Sequence, residues 1–409
     1  MHERARRAEA VEEDGRRQEI RLDAVGVVGD DRQAGEPIVE PAKGRTRSKY
    51  AVHARNSEVT GLGRQSPGWG DPKVPLAEAS GSRRLRLATA VLVLTAILIG
   101  ACGPAPVLPA ETSRTPFAGA ALPADRMVFD SDRSGNYELY TMRADGTDAR
   151  PLTADGRYDS WWPRVSPGRT DVVFYRTPKG VHDTDFVQAT LWRVRVDGSD
   201  LRELRPKGTD GWDQQGHAEW SPDGSQLVMF GGSGSNPQIF VTNANGGGPT
   251  RVTNRPGTNI DPSWSPDGRS IVFVGCPQAV CFDRDYEIYV VPSSGGEARR
   301  LTTNDLRDHD PYFSPDGKSI AWLSRTDPTG PTGIWNIRIM NADGSAQRPV
   351  TNDGQINSKP SWSSDGTLIY FHRFELVRGR WGIYTVRPDG SGMLELTKGA
   401  PGNSEFPSP

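Results

Sequence analysis

The chain has 409 residues, 24% charged and 35% hydrophobic, with a formal net charge of −2. This balance excludes a bundle of membrane helices, and near-neutrality argues against nucleic acid as a partner. Glycine at 46 and proline at 33 point to many tight turns.

Residues 1–82 show no sustained apolar period of 2 or 3.6 and hold few aromatics, so they cannot bury a core. They are expected to be a disordered or mis-annotated N-terminal extension, with translation starting near Val74 or Leu76. Next come Arg83, Arg84 and Arg86, the 13-residue apolar run Leu87 to Ile99, and then Gly100-Ala101-Cys102. A spanning helix needs roughly 20 apolar residues, so the run fits a secretory signal better than a membrane helix. Ile99-Gly100-Ala101-Cys102 resembles the bacterial lipobox, in which the cysteine is lipidated and becomes the mature N-terminus. Residues 83–102 are therefore expected to be a lipoprotein signal peptide. The protein should then be extracytoplasmic, at the cell surface or in the periplasm, and held to the membrane through lipidated Cys102. Residues 103–121, rich in proline, alanine and threonine, read as a flexible tether.

From Leu122 the chain repeats itself, and three marks keep phase. Ser-Pro-Asp-Gly stands at Ser221, Ser265 and Ser314, with degenerate copies at Ser166 and Ser363. A second turn recurs at Gly146, Gly198, Gly246, Gly295, Gly344 and Gly390. An apolar residue, usually followed by threonine, falls at Leu152, Leu204, Val252, Leu301, Val350 and Leu396. Each unit reads as four short strands: in the fourth, Pro262 to Trp264, Ser270 to Val274, Glu287 to Val291 and Ala298 to Thr302. Four antiparallel strands in roughly 45 residues is the arithmetic of a propeller blade. The expected fold is thus all-β, a six-bladed β-propeller over residues 122–409, with the C-terminal strand completing the first blade.

This pattern resembles the WD-like propeller repeats of the TolB C-terminal domain. The resemblance implies that the strand leading into Ser-Pro-Asp-Gly lines the central channel and that the Leu-Thr strand lies outermost. Val165, Trp220, Trp264, Phe313 and Trp362 share one phase and are expected to pack between blades.

The Ser-Pro-Asp-Gly and Asp-Gly turns should share one face, leaving the long loops on the other, the expected recognition face. Cys276 and Cys281 in one such loop can form a disulfide in an exported protein. Candidate ligand or ion-binding residues on this face are Asp159, Asp261, Asp283, Asp285, Asp308 and Asp310, with His217 and Lys359 replacing the acid in other units. Oxygen-rich loops suit calcium, the one candidate cofactor, but capping of backbone amides by the same aspartates is the expected reading, so no cofactor is expected. His182, His217, His309 and His372 also fall on this face; a transition-metal site there is weighed against scattered surface histidines, and the latter is expected. No HExxH, GxSxG or phosphate-loop motif is present.

The reading is a cell-envelope lipoprotein whose monomeric propeller acts as a protein-binding or scaffold module, with a protein partner, no nucleic acid and no catalytic residues assigned. The rivals are a carbohydrate-active lyase or hydrolase using the histidines and acids, and a ligand-sensing accessory subunit.

Overall fold

A computed structural model describes residues 120–183, 185–278, 280–327 and 333–409. The expected extension, the signal peptide with Cys102 and nearly all of the tether lie outside the described residues. Among the described residues no helix is long and apolar enough to cross a membrane.

The strands follow in chain order. They are β1 (Arg126–Ser131), β2 (Glu138–Arg143) and β3 (Arg150–Pro151); β4 (Tyr158–Val165), β5 (Asp171–Pro178), β6 (Thr190–Arg195) and β7 (Arg202–Arg205). Then come β8 (Gln214–Trp220), β9 (Gln226–Gly232), β10 (Gln238–Asn243) and β11 (Thr250–Arg251); β12 (Asn259–Trp264), β13 (Ser270–Gly275), β14 (Glu287–Pro292) and β15 (Arg299–Arg300). The rest are β16 (Arg307–Phe313), β17 (Ser319–Arg325), β18 (Trp335–Asn341), β19 (Arg348–Pro349), β20 (Ile356–Trp362), β21 (Ile369–Glu375), β22 (Arg380–Val386), β23 (Leu394–Glu395) and β24 (Ser404–Ser408).

The expected all-β propeller is present, but six separate four-stranded blades are not. Hydrogen bonding groups the strands into four four-stranded sheets, β24-β1-β2-β3, β4 to β7, β8 to β11 and β12 to β15, plus one eight-stranded sheet of β16 to β23. The physical reason lies in how neighbouring units meet. Elsewhere they share a backbone bond beside the innermost strand, as from Ser160 N to Tyr137 O (2.8 Å), Asn259 N to Pro237 O (3.1 Å) and Asp308 N to Tyr286 O (3.0 Å). Between β18 and β20 the contact becomes a parallel pairing of Trp335 with Ile356, reinforced by Asn357 Nδ2 donating to Trp335 O at 2.9 Å. The six-bladed description is corrected accordingly. The C-terminal strand β24 pairs antiparallel with β1, Ser131 opposite Ser404 and Val128 opposite Ser408.

Strands such as β1, β5, β13 and β17 are buried on both faces, and alternate residues enter different clusters: Val172 and Phe174 one, Val173 and Tyr175 another. A strand covered on both sides needs a continuous apolar run, and these have one. The outermost strands β3, β11, β15 and β19 are two residues long, exposed and rich in arginine, which discourages edge-to-edge pairing with another chain.

Each sequence mark has a task. In Ser-Pro-Asp-Gly the serine hydroxyl donates to the aspartate at 2.6 Å in Ser221, Ser265, Ser314 and Ser363, and accepts the N–H five residues on, closing the turn. Each turn glycine faces the proline of the preceding unit's turn, Gly317 against Pro266 and Gly366 against Pro315. The threonine of the Leu-Thr mark accepts a third-strand N–H at 2.9 Å, Thr153 from Leu139, Thr253 from Ile239, Thr302 from Ile288, Thr351 from Ile337 and Thr397 from Ile383. That hydroxyl satisfies a buried donor that the two-residue outer strand does not reach.

Candidate functional site at the propeller axis

Strands β4, β8, β12, β16, β20 and β24 touch one another in turn and return to β4, a closed cycle around an axis. Each carries a bulge against its neighbour at the same phase. The bulged residues are Trp162, His217, Asp261, Asp310, Lys359 and Phe406, and all six have positive φ, between 48° and 56°. Such φ values are uncommon for side-chain-bearing residues and cost of order 1–3 kcal/mol each. Proline follows in five of the six, removing a backbone donor where the ladder is interrupted.

These side chains meet one another. The Trp162 and His217 rings stack at 3.9 Å with 3° between planes, and Lys359 Nζ lies 3.1 Å from the Trp162 ring centroid. Phe406 packs on Trp162 at 5.2 Å. His217 Nδ1 faces one oxygen of Asp261, while His309 Nδ1 bonds the other at 2.7 Å. Lys359 pairs with Asp310. Burial holds His217 and His309 down to about 4, so both imidazoles are neutral at pH 7. Burial works to raise Asp261, but His217, His309 and Lys359 outweigh it and keep the carboxylate well below its ordinary range. Burial pushes Asp310 up to about 7 against the pull of Lys359.

Two residues further along the same strands stand Arg164, Glu219 and Tyr312. Arg164 pairs with Glu219, and the Tyr312 hydroxyl donates to Glu219 at 2.9 Å while accepting from Arg164 at 2.5 Å. Burial raises Glu219 in spite of the adjacent guanidinium.

From the segment after β5, His182 and Asp183 approach the same cluster. His182 Nε2 bonds Asp130 Oδ2 at 2.8 Å, and its ring stacks on Tyr137 at 3.5 Å. Asp183, with φ of 45°, is buried with Oδ1 lacking a hydrogen-bond partner, and burial pushes its carboxyl well above the ordinary value. The His372 ring lies 4.7 Å from Phe406 and its Nδ1 accepts Phe406 N–H at 3.1 Å. Burial keeps His372 well below its usual value.

The structure therefore gathers the four histidines around Trp162, Phe406 and Asp261 instead of scattering them over the surface: His217, His309 and His372 are buried and His182 nearly so. Among the described residues no three His, Cys, Asp or Glu side chains are placed to hold a metal ion. Asp159 does not share the phase of Asp261 and Asp310; Trp162 does. Asp159 accepts Tyr137 N–H at 3.1 Å and Gly180 N–H at 2.6 Å. Asp308 is away from the ring, accepting from Ser324 at 2.7 Å and Asn304 at 2.9 Å. Asp283 and Asp285 bound a 3-10 turn, where Asp285 accepts Phe282 N–H at 2.8 Å. Cys276 and Cys281 are disulfide-bonded, with Cα atoms 6.1 Å apart. The five residues of the shared tryptophan phase are part-buried against the cores, and Trp220 and Trp362 donate to the Arg164 and Tyr312 carbonyls of the preceding unit at 3.0 and 3.1 Å. Sequence reasoning missed Trp162, Phe406, Arg164, Glu219 and Tyr312; the proline recurring three residues before the turn serine, directly after the bulged residue, marks that phase.

Residues 213–408 match the TolB beta propeller domain. A TolB homolog of Chlorobium luteolum is 32% identical over 161 residues, covering 38% of this chain and 34% of the relative. The chain thus aligns with about a third of the length of that curated relative. The structure of TolB from Acinetobacter baumannii superimposes with a TM-score of 0.55 at 19% identity, covering 69% of this chain and 66% of that one. A putative TolB from Agrobacterium tumefaciens gives 0.51 at 19% identity, covering 66% of this chain and 88% of that one. With a matched repeat domain, a closed cycle of bulged strands and the same fold in both structures, this chain carries a TolB-like β-propeller.

Proposed function

We propose that this chain is an extracytoplasmic lipoprotein, anchored through Cys102, whose propeller binds a protein partner with its loop face. The observation carrying this reading is apolar side chains displayed on loops that leave the same end of the sheets. Val280 and Phe282, in and beside the disulfide loop between β13 and β14, are 69% and 64% exposed; Val377, in the β21–β22 hairpin, is 99% exposed, with Leu376 beside it. Exposed apolar residues on fixed loops are what a protein interface uses. The axis behind them is filled by packed side chains, with Asp261 between two imidazoles and Asp310 paired with Lys359, and it serves as the support of that face. The TolB likeness is in keeping with a scaffold role.

Crosslinking in intact cells, followed by purification of the tagged full chain, tests the reading. One partner captured by the native chain and lost in Phe282→Glu and Val377→Glu, with unchanged melting, supports it. An identical set captured by native and variant chains, or release of unsaturated or hydrolysed products from glycans by the purified protein, overturns it. Incorporation of labelled palmitate, abolished by Cys102→Ser, tests the anchor.

A further inference from the structure

On the face opposite these loops, a cavity of about 600 Å³ opens between the β12 to β15 sheet and strands β16 to β19. Two of its lining positions differ from those at the β6 junction. Val290 in β14 occupies the register position that Arg193 holds in β6, opposite Val272 and Val173 respectively. Phe313 stands where Trp220 precedes the corresponding turn serine. At the β6 junction Arg193 bridges to Asp171 at 2.9 Å and lies over the Trp220 ring at 6.0 Å, filling the space. With valine and phenylalanine in those places, both shorter, the space stays open.

The floor is apolar, built of Val290, Phe313 and Ala342, and the walls include Pro266 and Pro292. The rim carries three carboxylates, Asp267, Glu297 and Asp316. One guanidinium also lines it, Arg299, whose Nη1 donates to the Asp343 carbonyl at 2.9 Å. Lys318 Nζ is 3.7 Å from Asp316, but both side chains are largely exposed, so water and salt screen the pair. An apolar pit under an acidic rim is complementary to an apolar side chain with basic residues on either side, and its volume is within the ~300–1,000 Å³ of ordinary ligand pockets.

We infer that this groove is a second binding site, taking a peptide segment in which an apolar side chain is flanked by lysine or arginine. It is separate from the loop face and stands or falls without it.

The test uses the full chain and two fluorescein-labelled peptides, acetyl-Lys-Phe-Lys-Leu-Lys-amide and acetyl-Glu-Phe-Glu-Leu-Glu-amide, followed by fluorescence polarisation at low salt. The expected result is saturable binding of the basic peptide, at least about tenfold tighter than the acidic one. Val290→Arg, which refills the groove as Arg193 fills its counterpart, should weaken the basic peptide by about tenfold or more. Glu297→Lys, an exposed rim change that leaves the core untouched, should weaken it several-fold and keeps the test intact if Val290→Arg fails to fold. Absence of saturable binding of the basic peptide, equal binding of both peptides, or undiminished binding by a folded variant overturns the inference.

Discussion

Gly146, in the first Asp-Gly turn, packs against the backbone carbonyl of Leu396, near the far end of the chain; with φ of 86°, it has no room there for a Cβ. The same relationship recurs around the ring: Gly295 sits on Val252, Gly344 on Leu301 and Gly390 on Val350. Each glycine turn thus seats on the Leu-Thr mark of the preceding unit, and Gly146 on Leu396 completes the circuit. Two marks that look independent in the sequence are two sides of one interface.

Gly146→Ala is therefore expected to destabilise the domain by more than about 1 kcal/mol, since the new Cβ meets both a left-handed φ and fixed backbone. Gly135→Ala, with positive φ but nothing near its Cβ position, is the control that carries strain alone. Thermal melting of both variants checks this; an equal loss in the two would show that packing on Leu396 contributes nothing.

Phe406 is fully buried and touches Trp161, Trp162, His182 and His372, so one residue of the tail strand holds the axial cluster from below. Phe406→Ala should cost about 3–5 kcal/mol. Deleting Asn403 to Pro409 should cost more, because the β1 edge is exposed as well. Chemical denaturation measures both, and unchanged midpoints would remove the tail strand from any structural role.

Neutral, buried His217 gives a signed pH dependence. Its folded value of about 4 lies below the unfolded value of 6.5, so its contribution is complete above pH 6.5 and is lost as pH falls toward 4. That loss amounts to about 3 kcal/mol at pH 4. His217→Gln has no such proton to take up. The melting temperature of the native chain relative to the variant should therefore drop by several degrees between pH 7 and pH 4.5. A gap that stays constant with pH would contradict the neutral, buried assignment.

Asp183 works in the opposite sense. A carboxyl whose folded value is raised costs stability once pH exceeds the unfolded value of 3.8, and the cost grows until the folded value is reached. Asp183→Asn is expected to stabilise the protein near neutral pH, by about 1–3 kcal/mol, with the gain shrinking as pH approaches 4. Melting curves across that range decide it; destabilisation at neutral pH would mean that the ionised form is held by groups other than those seen around it.

Much of the fold was legible because repeats report local physics. Ser-Pro-Asp-Gly closes its own turn, glycines mark positive φ, and apolar runs mark strands covered on both faces, all within one unit. The strand boundaries at Ser270, Glu287 and Trp264 follow from these signals alone. Sheet grouping did not, because the pairing of Trp335 with Ile356 depends on how closely two units approach.

The axial site was only half legible for a related reason. Asp261, Asp310, His217 and Lys359 each stand four residues before their turn serine, so counting places them in one phase; Asp159 stands seven before Ser166, and Trp162 holds the shared position, where an aromatic side chain gives no sign of a polar cluster. The sequence by itself determined the repeat, the turns and the apolar strands, because each depends on neighbours a few residues away. Only the tertiary structure decided that four histidines, two acids and a lysine would be buried around Trp162 and Phe406, because that meeting requires every unit to lie in its place around the axis at once.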